Sequence, residues 1–272
     1  MAIFLYVLIA YISVFIHEFG HYISAYCFKV KATHVITGMG FKLFSIQTKS
    51  TRFIFNILPG GGVTIYDPND ERKLSIFHQI IVLLSGVTLN YFTAVICASL
   101  YINESLIKGF YYLNQLMITF IHNIFSMLSL KDLIFPSYSF NESIQMIAQD
   151  YTLKHYILFI FIFMNLLLFL FNLIPIPFFD GGQIVSLLID PLFIKLGVKA
   201  TTLEAFKEYI NQATGYVLIL LILLPFIGRG YLFITSSPNP KSEILKWILI
   251  ILGSILIKRI FQTITRLLKS EH

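Results

Sequence analysis

Apolar residues come in long runs along this chain, with short polar stretches between them. A helix that crosses the hydrocarbon core of a bilayer needs about 20 mostly apolar residues. The pattern therefore predicts four membrane-crossing helices and a shorter fifth one, at residues 2–27, 76–103, 155–174, 213–235 and 244–260. Segment 109–130 is ambiguous, because amides and a histidine interrupt its aromatic residues. An interfacial amphipathic helix and a crossing helix both remain open there.

The pattern changes between the first two runs. Val30–Asp67 is rich in Val, Ile, Thr and Phe, alternates apolar with polar residues in places, and contains glycines and a proline. Such a stretch is typical of strands joined by tight turns. The sequence therefore predicts a multi-pass α-helical membrane protein with a small membrane-associated β-sheet or hairpin inserted between helices 1 and 2.

The composition indicates lipid as the solvent for most of the chain. Hydrophobic residues make up 57% of it and charged residues only 12%, whereas soluble domains carry roughly 25% charged residues. Lys and Arg that flank membrane helices explain the net charge of +6, so we expect no nucleic-acid partner. The first run lacks the basic start and the cleavage site of a signal peptide, which favours a retained helix. Cys27 and Cys97 lack metal-ligand spacing, and we expect no disulfide.

The basic residues predict an orientation in the membrane. They are concentrated in loop 29–73, in the stretch that follows run 155–174, and in the tail. Because Lys and Arg are enriched in cytoplasmic loops, we expect all three regions on the cytoplasmic side. The amino terminus then faces outward and the carboxyl terminus lies in the cytoplasm. This arrangement is self-consistent only if 109–130 does not cross.

The first apolar run contains His17-Glu18-Phe19-Gly20-His21, which has the form H-E-x-x-H. Residues four apart share one face of a helix, so the two histidines can hold one metal ion. The glutamate can then take a proton from water that the metal activates. An unpaired charge inside a membrane costs roughly 2.5–3.5 kcal/mol, which argues against an incidental placement. The motif predicts a hydrolase site with one Zn²⁺ per chain and Glu18 as the general base.

Zinc in hydrolases usually takes a third protein ligand. The favoured candidate is Asp180 in the stretch Asn172–Ile184, where two prolines interrupt an apolar helix. Interrupted backbone at membrane depth is tolerated where it is buried in protein or lines a wet cavity. Asp180 would also fit an ordinary helix N-cap, and Asp150 and Asp190 are weaker alternatives.

Together these features resemble the site-2 proteases, zinc metalloproteases that cleave substrates inside the membrane, and most closely the bacterial branch that includes the regulator-of-sigma-E protease. The resemblance implies that His17, His21 and Asp180 bind zinc and that Glu18 is catalytic. It also implies substrate-binding residues in the lead-in to the aspartate, in the β-loop and in the second span, namely Asn172, Gly38, Gly40, Gly61 and Asn90. Hydrogen bonding between helices is the favoured alternative for Asn90, and simple turns would explain the glycines as well.

The chain departs from the family pattern in three places. Phe179 replaces the usual leucine before the aspartate, Val87 replaces a proline, and there is no PDZ domain between helices 2 and 3. The predicted parts are a catalytic core, its β-loop, an extramembrane or interfacial insertion, and an extra carboxy-terminal transmembrane helix with a basic tail, at 1–235, 29–68, 104–154 and 236–272.

The sequence thus predicts an intramembrane zinc metalloendopeptidase of the bacterial plasma membrane. Its expected partners are the bilayer and a single-span or signal-peptide-like substrate, which an edge of the β-loop would capture by strand addition. Two alternatives remain open. One is a membrane zinc peptidase of another architecture, with Glu204 or Glu208 as third ligand, and the other is a non-catalytic metal-binding protein or transporter. The oligomeric state is left open.

Overall fold

The computed structural model describes residues 2–127 and 152–217, most of which are helical. The elements are α1 (Ala2–Cys27), β1 (Ala32–Gln47), β2 (Arg52–Tyr66), α2 (Pro68–Glu71), α3 (Ile76–Ile102), α4 (Leu106–Met127), α5 (Leu153–Asn172) and α6 (Asp180–Lys195). Residues 200–217 are also helical. Outside the described residues lie 128–151, most of the predicted run 213–235, run 244–260 and the tail segment 236–272.

Within the described ranges, three helices are long and apolar enough to cross a membrane: Phe4–Cys27, Ile76–Ile102 and Leu153–Asn172. They confirm the helices predicted at the first three apolar runs. Helix α4, which contains most of the ambiguous segment, is not one of them. Whether α4 crosses a membrane therefore stays open.

The three apolar helices pack against one another, α1 and α5 in the same direction and α3 in the opposite one. Tyr6 on α1 bonds Tyr156 on α5, and seven residues later Ser13 accepts a bond from Asn165. On α3, by contrast, Val82 lies beside the carboxy-terminal part of α1. Helix α3 therefore ends at the end of the bundle where α5 begins, as the predicted orientation requires.

Small residues on α3 let its neighbours approach closely. Ala94 and Ala98 are fully buried against Ile162 and Leu166 of α5, in a cluster that also includes Leu113 of α4. Helix α4 folds back along α3, where the Tyr91 hydroxyl bonds the Asn114 side chain. The polar residues of the ambiguous segment thus include one that packs inside the protein.

The segment between α1 and α3 forms the predicted antiparallel hairpin of β1 and β2. Its strands are bent, so that Ile36 of β1 lies opposite both Val63 and Ile54 of β2. Gly38 and Gly40 adopt positive φ angles of 88° and 85° at the bend. Phe15 of α1 packs on the rings of Phe53 and Phe55, which places the hairpin along the helix that carries the H-E-x-x-H motif.

Many large apolar side chains of the hairpin are exposed, including Phe41, Leu43, Phe44, Ile46, Ile57 and Leu58. Apolar patches of this kind mark surfaces that contact a membrane or another protein. The hairpin therefore has the surface expected of a membrane-associated element.

Candidate metal centre

The two histidines of the motif and Asp180 meet at one point inside the protein. The Nε2 atoms of His17 and His21 are 3.1 Å apart. Asp180 Oδ2 lies 3.1 Å from His17 Nε2 and 3.4 Å from His21 Nε2. All three residues are buried, with at most 7% of their surface exposed. The structure therefore brings together the three predicted zinc ligands from opposite ends of the described chain.

The chemistry of this donor set fits a divalent cation. His21 Nδ1 donates to the Val82 carbonyl at 2.8 Å, so a neutral His21 turns the lone pair of Nε2 toward Asp180. A lone pair and a carboxylate oxygen at this distance repel each other unless a proton or a metal cation lies between them. Tetrahedral zinc with nitrogen and oxygen ligands holds them about 3.3–3.6 Å apart, within a few tenths of an ångström of the observed spacings. In the described part of the chain, this is the one group of three or more such side chains placed to hold a metal.

Two glycines let α1 and α3 approach closely beside the histidines. A Cβ atom on Gly20 would lie 2.6 Å from the Ser85 carbonyl oxygen, and one on Gly86 would lie 2.6 Å from His21 Nε2. Any larger residue at Gly86 would therefore occupy the space of the His21 imidazole. The close contact of the two helices also brings the Val82 carbonyl within reach of His21.

Asp180 reaches the centre because α5 stops at Asn172 and the chain turns back before α6. Asp180 is the first residue of α6, where the free N–H groups of a helix favour a negative charge. Gly181 and Gly182 pack against the backbone of the intervening loop, at the carbonyls of Leu173 and Ile176, where a side chain would collide. The two glycines thus allow the loop to pack closely against the start of α6, and this packing positions the Asp180 carboxylate.

Glu18 is buried next to the histidines but outside the ligand group. Thr64 of β2 donates its hydroxyl to Glu18 Oε2 at 2.8 Å. Glu18 Oε1 lies 2.6 Å from the position that a Cβ atom on Gly62 would take. Strand β2 therefore crosses directly over the carboxylate, holding one oxygen and leaving the other beside a residue without a side chain.

Tyr66 ends β2 on the same side as Gly62 and Thr64, since alternate residues of a strand share a face. Its ring packs near Ala25 and Val82. Burial raises the pKa of the Tyr66 phenol, and the negative charges of Glu18 and Asp180 raise it further. The face of β2 that lies over Glu18 therefore ends in this tyrosine.

The other described acidic candidates do not join the ligand group. Asp190 and Glu204 both pair with Lys207, at 2.7 Å and 2.9 Å. Glu208 accepts a bond from the Gln212 side chain, and Asp150 lies outside the described residues. Among the described acidic residues, the geometry favours Asp180 as the third ligand.

None of the residues predicted to bind substrate belongs to the ligand group. Asn172 donates to the Leu168 carbonyl one turn back on α5. Asn90 is completely buried on α3, and neither polar atom of its side chain has a hydrogen-bond partner in the described part of the chain. Their roles stay predictions.

The predicted glycines differ in their surroundings. A side chain on Gly38 would meet the Leu58 carbonyl oxygen and the Tyr11 hydroxyl, both at 2.7 Å, so close packing explains this glycine. Gly40 and Gly61 lie on more open parts of the hairpin, near Ile57 and Met39. Their contact with substrate stays a prediction.

Sequence reasoning missed Thr64 as a partner of Glu18. The motif fixes where the glutamate lies on its helix, but the register of the hairpin decides which strand residue meets it. A single threonine in a strand-rich loop gives no signal of its own. The alternation Gly62, Thr64, Tyr66 would have indicated a shared face once Gly62 was assigned to the site.

Comparison with known proteins agrees with this geometry. A family model described as Peptidase family M50 matches residues 4–222. Three bacterial proteins named "putative zinc metalloprotease" are similar over shorter stretches. That of Fusobacterium nucleatum is 32% identical over 91 residues, which is 30% of this chain and 27% of the relative. That of Thermotoga maritima is 40% identical over 62 residues, 23% of this chain and 12% of the relative.

The third relative, from Clostridium perfringens, is 30% identical over 105 residues, 36% of this chain and 30% of its own length. Each similarity thus covers less than a third of the relative's length. The family model, in contrast, covers most of the chain, including both histidines, Glu18 and Asp180. The chain belongs to peptidase family M50, the site-2 protease family, whose members are zinc metalloproteases.

Proposed function

We propose that this protein is an intramembrane zinc endopeptidase that cleaves transmembrane or signal-peptide-like segments. The observation that carries the proposal is the position of the centre. His17, His21 and Glu18 lie within a helix apolar enough to cross a membrane, and all three are buried. Ionisable groups at such a depth are costly and mark functional sites.

Glu18 is the proposed general base. Zinc, when bound, supplies Lewis-acid chemistry that polarises a carbonyl and makes water acidic near neutral pH. Thr64 holds Glu18 Oε2, so Oε1 is the atom that would take a proton from the attacking water. Glu18 would then pass this proton to the amine of the leaving peptide. The burial of the carboxylate keeps bulk water away from this exchange.

The substrate is proposed to bind as an extended strand beside β2. Residues 62–65 of β2 pair with β1 on one side, and no described strand pairs with their other side. A substrate segment added there would regain the backbone hydrogen bonds that it loses on unwinding. Gly61 and Gly62 carry no side chain that would hold the substrate away from Glu18.

The proposed location is the plasma membrane of a bacterium, with the amino terminus outward. The bacterial origin of the three relatives supports the first part. The outward amino terminus is supported by the opposite directions of α1 and α3, because the basic loop 29–73 then joins their ends on one side of the membrane.

The test uses the purified full-length chain and a single-span substrate in lipid nanodiscs. The wild type should bind one zinc ion and cleave within the apolar segment. Glu18→Gln should keep the zinc, measured by inductively coupled plasma mass spectrometry, and lose cleavage by about 10²–10⁴-fold. Glu104→Gln, an exposed glutamate paired with Lys108, is the matched control and should change neither. Cleavage by Glu18→Gln at the wild-type rate would overturn the proposal.

A further inference from the structure

A cavity of about 530 Å³ opens beside the metal centre, between the start of α3, α6 and helical residues 200–217. Its apolar lining includes Val30, Leu74 and Leu83. Cavities of this size accommodate small ligands or a few residues of a peptide. The proposed catalytic steps make no use of it.

The charged part of the wall is acidic. Three carboxylates, on Glu71, Asp190 and Glu204, line the cavity together with the single ammonium group of Lys207. Lys207 already pairs with two of them, Asp190 and Glu204. Glu71 has no ion-pair partner within the described residues, and neighbouring Lys73 pairs instead with Asp70. The lining of the cavity thus combines an excess of negative charge with apolar side chains.

The cavity lies near the end of β2, a few residues beyond the part of the strand that contacts Glu18. Gly62 lies over the Glu18 carboxylate, and Tyr66 lines the cavity. Four residues of a strand span about 13 Å. A substrate strand laid along β2 would therefore place a residue at the cavity about four positions from the bond beside Glu18.

The position of the cavity at one end of the helix bundle also indicates what kind of ligand it binds. Its walls include Ala25 near the end of α1 and Ile76 at the start of α3, the two helix ends that flank the basic hairpin loop. By the distribution of Lys and Arg this end faces the cytoplasm, where the flanks of membrane segments carry Lys and Arg as well. These side chains combine an aliphatic stem with a cationic tip, matching an apolar wall with a carboxylate.

We propose that this cavity binds the Lys or Arg residues at the cytoplasmic flank of the substrate's membrane segment. The inference rests on the proposed protease function and adds a determinant of substrate choice to it. The aliphatic stem packs on the apolar wall and the cation faces Glu71. Cleavage is thereby directed to bonds about four residues from a basic flank.

Binding is measured first, because it does not depend on cleavage. Two fluorescent peptides share one apolar segment and differ only in a Lys-Arg-Lys or Gln-Gln-Gln flank. Their affinities for the full-length Glu18→Gln protein are compared in zwitterionic nanodiscs. The basic peptide should bind about five-fold more tightly, the effect of one partly exposed ion pair. Glu71→Gln should bring the ratio close to one, and Glu104→Gln, at the other end of α3, should leave it unchanged.

A charge reversal makes the result specific to the cavity. Glu71→Lys should invert the preference, so that a Glu-Asp-Glu flank binds more tightly than the basic one. Equal affinities for basic and neutral flanks in the Glu18→Gln protein, or a preference that survives Glu71→Gln and Glu71→Lys, would overturn the inference. A charge preference without cleavage by the wild type would instead overturn the proposed function alone, and cleavage without a preference would overturn the inference alone.

Discussion

At the scale of single residues, the centre depends on a glycine as much as on its ionisable groups. Gly62→Ala places a methyl group only 2.6 Å from Glu18 Oε1, so the carboxylate must move. The φ angle of Gly62 is not in the positive region, so the backbone accepts alanine. We expect cleavage to fall by about 100-fold, the effect of misplacing a catalytic group by about 1 Å. Zinc content, measured on the same sample, should not change.

The matched control for this substitution is Gly60→Ala, two residues earlier on the same strand. Among the described residues, its Cβ atom would meet only the flexible Met39 side chain, whose sulfur lies at 3.3 Å. Cleavage by Gly60→Ala should remain within about two-fold of the wild type, since the Met39 side chain can adjust. Equal losses in both variants would mean that the strand as a whole, rather than the Glu18 carboxylate, responds to the methyl group.

At the scale of elements, the contact of α1 with α3 is built on a glycine between the two ligand histidines. Gly20→Ala would put a methyl group 2.6 Å from the Ser85 carbonyl oxygen, a backbone atom that cannot move without the helix. Forcing the helices apart should cost about 1–3 kcal/mol and draw the Val82 carbonyl away from His21. We expect a lower thermal midpoint and a lower zinc content.

Gly215→Ala provides the comparison, because no atom of the described residues lies within 4 Å of its Cβ position. Alanine at that helical position should leave zinc content unchanged and the midpoint equal or slightly higher, since alanine favours a helix by about 1 kcal/mol over glycine. If Gly20→Ala resembled Gly215→Ala in both measurements, the tight helix contact would not be what supports the centre.

The elements also separate what the sequence could predict from what it could not. Long apolar runs and the strand-rich loop predicted α1, α3, α5 and the hairpin, because burial in lipid leaves a strong local pattern. The H-E-x-x-H motif placed His17 and His21 on one helix face because residues four apart share a face of a helix. The sequence could not predict that Thr64 bonds Glu18 or that β1 pairs with two parts of β2, because strand register depends on contacts distant in sequence.

At the scale of the whole molecule, the centre joins the first helix to one that begins some 160 residues later. A metal that binds only the folded protein stabilises it, by about 2.7 kcal/mol at one hundred times its dissociation constant. For a chain of this size, chelation of zinc should lower the thermal midpoint by about 5–10 °C. Adding zinc back should restore the midpoint, measured by intrinsic fluorescence in nanodiscs.

The third ligand, Asp180, decides whether bound zinc connects α6 to α1 and so stabilises the fold. Asp180→Asn keeps the size of the side chain but removes the charge that faces both imidazoles at 3.1 Å and 3.4 Å. The midpoint of this variant should hardly respond to chelator, because zinc held by two histidines of one helix no longer ties α6 to α1. Asp70→Asn, at a partly exposed aspartate paired with Lys73, should keep the full response. A full response in Asp180→Asn would mean that another group completes the site, and that the meeting of α1 with α6 has a cause other than the metal.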